Sequence, residues 1–163
     1  MTVSNVVKDE QALTLVVSAE FDAPIERVWQ LIEDPRQLER WWGPPEYPAT
    51  FVVHDLSQGG KMSYYMTGPD GDRPHGFWRV IVVDKPRRLE FENGFADDAG
   101  HPVTETLTMY ATFNLTERSG GGTLVSIESK FPSTEAMAQV LSMGMQEGMT
   151  SAVSQMDAIL VSM

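Results

Sequence analysis

The chain has 163 residues, 42% of them hydrophobic and 21% charged, with no cysteine and a formal net charge of −11. That length predicts one domain over residues 1–163, large enough to bury a core, while the missing cysteine excludes disulfides, thiolate metal sites and a thiol nucleophile. The acidic balance argues against nucleic acid and anionic membrane as partners, since both need clustered Lys and Arg, and reads as a solvation device.

Residues 1–11 show no basic segment leading into an apolar run, and no apolar stretch reaches the roughly 18 residues of a membrane span. The expectation is a cytoplasmic protein with no membrane span. These first residues read as an arm, either flexible or paired at a sheet edge. Leu13, Leu15, Val17, Ala19 and Phe21 then alternate with Thr14, Ser18 and Glu20, the pattern of a half-buried strand. Pro24 suits a first helical position, and Ile25, Val28, Trp29 and Ile32 form one apolar stripe behind it. Asp34 is placed to cap a second short helix, with Pro35 opening it and Gln37 three residues after the cap. Leu38, Trp41 and Trp42 give that helix its buried face, and Gly43-Pro44-Pro45 stops it.

Six strands are predicted next: 49–56, 60–67, 75–84, 88–95, 103–117 and 123–131. Gly59-Gly60, Pro69-Asp70-Gly71, Lys85-Pro86 and Gly120 to Gly122 supply the turns. The short spacings favour antiparallel hairpins over helical crossovers. Ser133 can cap a final helix over residues 134–160, about 40 Å at 1.5 Å per residue. Met137, Leu141, Met145, Gly148, Ala152, Met156 and Ile159 form its stripe. Gly144 and Gly148 interrupt it, marking close packing, a kink, or a thin place that leaves room for a ligand.

Strand, two small helices, antiparallel strands and one long C-terminal helix is the helix-grip order, an α+β fold in which a curved sheet of six or seven strands wraps the last helix. At Phe21-Asp22-Ala23-Pro24, Trp29, Asp34-Pro35, Leu38 and Trp41-Trp42-Gly43-Pro44 the sequence resembles the activators of heat shock protein 90 ATPase, a family of the START-like, Bet v 1-like or SRPBCC superfamily. Gly59-Gly60, Met66, Gly68-Pro69-Asp70-Gly71, Pro86, Leu89, Gly144-Met145 and Glu147-Gly148-Met149 extend the resemblance over roughly residues 12 to 161. It implies a cavity under the last helix and the binding of small apolar molecules. It carries over no universal catalytic residue. Eukaryotic activators have a further N-terminal domain that contacts the chaperone, for which this chain leaves no room, so the resemblance does not imply chaperone activation.

Candidate ligand-binding residues come from the apolar rows, where methionine adapts to varied shapes. They are Trp42, Tyr64, Met66, Trp78, Phe91, Met109, Phe113, Met145 and Met149. Phe77, Ile81 and Val83 compete with Trp78, Val80 and Val82 for the inward face. Tyr64 and Glu105 are the candidates for proton transfer, Glu105 because it keeps register with Leu107 and Met109, and Asn93 falls in register with Leu89 and Phe91. The three histidines, His54, His75 and His101, have no metal-ligand spacing, so no metal or cofactor is expected. Three functions stand open: binding of a small hydrophobic or amphipathic molecule, a polyketide-cyclase-like enzyme in the same cavity, and a chaperone-linked interaction domain. A homodimer is left open as well.

Overall fold

The opening alternation is realised as a hairpin at one edge of a sheet. The computed structural model describes residues 3–103 and 107–161. β1 (Val3–Asp9) pairs antiparallel with β2 (Thr14–Phe21), so the arm supplies an edge strand. The chain next forms α1 (Ile25–Glu33) and α2 (Pro35–Leu38), which carry it to the far edge of the sheet. From there β3 (Ala49–His54), β4 (Lys61–Met66), β5 (His75–Asp84), β6 (Arg88–Ala96), β7 (Met109–Glu117) and β8 (Thr123–Lys130) meander back until β8 meets β2. The order is β1-β2-β8-β7-β6-β5-β4-β3, with every neighbouring pair antiparallel. The sheet has eight strands rather than six or seven. The additional one is β1, whose adjacent valines and charged end carry no alternation of their own and become a strand through pairing with β2.

The small helices form as their caps require. Asp34 accepts from the Arg36 backbone N–H at 2.9 Å, and Gln37 donates back to its second oxygen at 2.9 Å. Those bonds, Gln37's first, hold the Asp34 carboxyl below its ordinary range. α1 buries Ile25, Val28, Trp29, Leu31 and Ile32. The backbone N–H groups of Trp41 and Trp42 both reach the Leu38 carbonyl, which continues the helical path one turn past α2.

Two expectations need correction. The strand predicted from Val103 begins only at Met109. Asp97 accepts from the backbone of Ala99 and His101, and Pro102 bridges to Ala96, so the chain folds over the end of β6 before β7 starts. Glu105 lies outside the described residues. The single C-terminal helix is instead three: α3 (Thr134–Ser142), α4 (Met145–Ser154) and α5 (Met156–Val161). Ser133 caps α3, accepting from the Ala136 N–H at 3.0 Å. The first break falls at Gly144, with φ 89°, a left-handed conformation that costs other L residues about 1–2 kcal/mol. The apolar periodicity runs through this break, which is why the pattern reads as one helix.

The core is divided. The larger cluster joins β2 through β8 to α1, α2, Trp41 and Trp42, and takes in Val153, Met156 and Ile159 of α4 and α5. The smaller one gathers Leu15, Leu107, Met109 and Phe131 with Ala136, Met137 and Val140 of α3. Gln155 ties the C-terminal segment to the Trp-Trp-Gly turn, its side-chain N–H donating to the Gly43 carbonyl at 2.6 Å. Among the described residues, no helix is long and apolar enough to cross a membrane.

Candidate functional site

The space between the two clusters is a cavity of about 260 Å³ under α3 and α4. Its floor comes from inward rows of the sheet: Tyr64 and Met66 of β4, Asn93 and Phe95 of β6, Met109, Ala111 and Phe113 of β7, Ile127 and Ser129 of β8. Trp42 and Pro44 close one side. Val140, Met143, Gly144, Met145, Gly148 and Met149 form the roof. A Cβ built on Gly148 meets nothing within 4 Å, so of the readings open for this glycine the structure matches the thin place in the helix.

Seven of the nine candidate residues come together here: Trp42, Tyr64, Met66, Met109, Phe113, Met145 and Met149. Trp78 and Phe91 do not line the cavity. They stack on each other with centroids 3.8 Å apart and are fully buried. Trp42 packs edge-on against Trp78 at 4.9 Å, so the wall expected of Trp78 is supplied by Trp42. On β5 a bulge between Val80 and Val82 shifts the register. Trp78 and Val80 face the main core before it, Val83 packs against that core after it, and Ile81 is exposed. Phe77 points to the opposite face, where the Arg79 guanidinium lies 5.0 Å from its ring.

The two tryptophans divide their tasks. Trp41 is wholly buried and donates its indole N–H to the Leu31 carbonyl at 2.8 Å, locking α1 to the turn after α2. Trp42 borders the cavity, and its buried Nε1 has no hydrogen-bond partner among the described residues. The Trp42 ring stands edge-on to the Tyr64 ring, with centroids 6.2 Å apart. Burial pushes the Tyr64 phenol up, and the neighbouring Trp42 N–H offsets part of the effect. Tyr64 fits because β5 places Gly76 opposite it, where a Cβ would overlap the phenol.

Among the described residues, the lining contains no Lys, Arg, His, Asp or Glu. Besides Trp42, its polar side chains are Tyr64, Asn93 and Ser129, the last two buried at 8% and 4% exposure. Ser129 was missed in the sequence, although it keeps the inward register of Val125 and Ile127 on β8. A smaller side pocket of about 100 Å³ shares Tyr64, Met66, Asn93, Phe95 and Met109 and continues to Pro74, His75 and Gly94. The His75 ring belongs to the other face of the sheet. It lies 5.7 Å from the Tyr65 ring, and its Nδ1 is 2.8 Å from the Arg73 carbonyl. His54 sits against the Ile32 carbonyl at 3.0 Å, and His101 is 3.8 Å from Asp97. Among the described residues, no group of three or more His, Asp or Glu is arranged to hold a metal ion.

This architecture recurs in solved structures. A solution structure of a protein from Arthrobacter aurescens is 49% identical, covers 99% of this chain and 94% of its own, and superposes with a TM-score of 0.94. The crystal structure of protein Ms6760 from Mycobacterium smegmatis is 46% identical over 97% of this chain and 96% of its own, with a TM-score of 0.89. A solution structure from Staphylococcus epidermidis, at 26% identity, covers 97% and 94% with a TM-score of 0.83. No curated protein matches the chain. Residues 22–161 match the family model described as Activator of Hsp90 ATPase homolog 1-like protein. The helix-grip sheet, the Trp-Trp-Gly-Pro turn and that match over most of the chain together place this protein in the family of activator of Hsp90 ATPase homolog 1-like proteins.

Proposed function

We propose that the chain acts as one binding unit, a cytoplasmic protein that holds a small hydrophobic or amphipathic molecule between the sheet and the C-terminal helices. The observation that carries this reading is the cavity itself: an open space of about 260 Å³, walled mainly by apolar and methionine side chains, where a filled core would close. The family's helix-grip architecture supports it. Catalysis would need an acid or base facing the substrate. Among the described residues the lining offers only the Tyr64 phenol, an acid that burial makes harder to ionise, with no carboxylate or imidazole base facing it. A chaperone-type docking domain would present a broad apolar surface. The large exposed hydrophobics, among them Val7, Val52, Ile81, Val103, Met143 and Val161, are instead dispersed over several elements.

Native mass spectrometry of the purified protein tests for a retained small molecule. An apolar fluorescent probe should bind with one-to-one stoichiometry. At one hundred times its Kd it should stabilise the fold by about 2.7 kcal/mol, through mass action on the native state. Ala111→Trp places an indole in the cavity and should abolish binding with little loss of stability. Strong destabilisation by Ala111→Trp, with no probe bound to the parent protein, overturns the proposal.

A further inference from the structure

We infer that the cavity selects an uncharged ligand carrying an acceptor oxygen, and that Tyr64 and Asn93 hold that oxygen. The inference rests on the binding function proposed above and narrows it to a ligand class.

Tyr64 and Asn93 line both the main cavity and its side pocket, so they stand where the two spaces join. Each is at least nine-tenths buried. The Trp42 ring packs edge-on against the Tyr64 ring with centroids 6.2 Å apart. Among the described residues no side chain or carbonyl accepts the Tyr64 hydroxyl proton. The Asn93 amide likewise makes no hydrogen bond with the described residues. Neither the phenol oxygen nor the amide is sealed in the packed core, so both reach the cavity, and two donors facing one space favour an acceptor brought by a guest. A carbonyl or ether oxygen meets both.

Charge decides the remainder of the class. With no cationic side chain among the described residues of the main cavity's lining, an ionised carboxylate or phosphate would lose its hydration with nothing there to replace it. The chain's net charge of −11 opposes an anion further. Size sets the upper limit. A cavity of roughly 150 Å³ holds one benzene ring, so about 260 Å³ suits a body of two fused rings or a comparable branched chain.

Three probes of matched shape test this: naphthalene, 2-acetylnaphthalene and 2-naphthoate, titrated calorimetrically at pH 7. The ketone should bind the parent protein about fivefold more tightly than the hydrocarbon, the gain of one net hydrogen bond. The carboxylate should bind at least about tenfold more weakly than the ketone. Tyr64→Phe and Asn93→Leu should each bring the ratio of ketone to hydrocarbon affinity toward one. Because the ratio is taken within each variant, a general loss of fold or cavity shape cancels. Equal affinities for ketone and hydrocarbon in the parent, tight binding of the carboxylate, or a ratio that survives both substitutions would overturn the inference and leave the binding function standing. Failure of all three probes to bind the parent would overturn both.

Discussion

Alanine at Gly148 should stabilise the protein, whereas alanine at Gly144 should destabilise it. Both glycines interrupt the apolar pattern of the C-terminal segment and both line the cavity. Gly148 lies inside α4 with ordinary helical backbone and open space where a Cβ would stand. Replacing a helix-interior glycine with alanine in such a place gains about 0.5–1 kcal/mol. Gly144 holds φ 89° at the joint between α3 and α4, where a Cβ costs about 1–2 kcal/mol. The two variants should thus differ by about 1.5–3 kcal/mol. For a chain of this size each kcal/mol moves Tm by roughly 2–4 °C. Urea unfolding followed by tryptophan fluorescence, with calorimetric melts alongside, measures the difference. Shifts of the same sign and size would refute the distinction between a thin helix and a hinge. Gly148→Leu extends the test, since its side chain would enter the cavity. Probe affinity should fall at least about tenfold while stability holds, as filling a void is tolerated where overpacking a core is not.

Trp41→Ala should cost about 3–5 kcal/mol, a core aromatic loss that also strips the Leu31 carbonyl of its partner. Trp42→Ala should cost less and change probe uptake, and equal small effects on Tm would refute the division of roles. Gly76→Ala should push the Tyr64 ring out of its recess and weaken probe binding; unaltered binding would show that the phenol does not shape the site. On the outer face of the sheet, Tyr110 donates to Glu90 at 2.6 Å. That bond, with Arg88, holds the Glu90 carboxyl below its ordinary 4.5, while the Tyr110 phenol is pushed up to about 12. The Glu90 contribution is present above pH 4.5 and lost as the pH falls below that value; the Tyr110 contribution is present below pH 10 and lost as the pH rises toward 12. The stability difference between parent and Tyr110→Phe should therefore form a plateau of about 1 kcal/mol near neutrality that narrows at both extremes. Urea midpoints at acid, neutral and alkaline pH check it, and a constant difference would refute it.

Much of the fold was legible because it rests on local chemistry. The Asp34-Pro35 cap, the stripe of α1 and the alternation of β2 and β7 each announce their element within a few residues. The cavity wall was legible where one face of a strand is uniformly apolar, as along Met109, Ala111 and Phe113. Legibility ended where tertiary context decides. Trp78 and Val80 could not be distinguished from their neighbours because the bulge at Ile81 moves the register mid-strand. Trp78 is inward, as expected, but no periodicity shows that Trp42 stands between it and the open space. The break at Gly144 was hidden by a hydrophobic repeat that persists across it. Ser129 carries a signal only once β8 is known to place it beside Ala111.

The C-terminal helices are held at both ends by different bodies. α3 is embedded in the smaller cluster, and the end of α4 with α5 is embedded in the larger one and tied to Gly43 through Gln155. Between these anchorages residues 145–151 are only half-buried or exposed, and they form the span over the cavity. On the proposed binding function, a guest would enter by lifting that span about the Gly144 joint while both anchorages stay shut. Exchange rates for guests should then follow the local opening of this segment rather than global unfolding. Amide hydrogens of residues 145–149 would exchange faster than those of β7 or β8, and a bound guest would slow them selectively. Substitutions deep in the larger cluster could lower the melting temperature by several degrees and still leave the residence time of the guest unaltered.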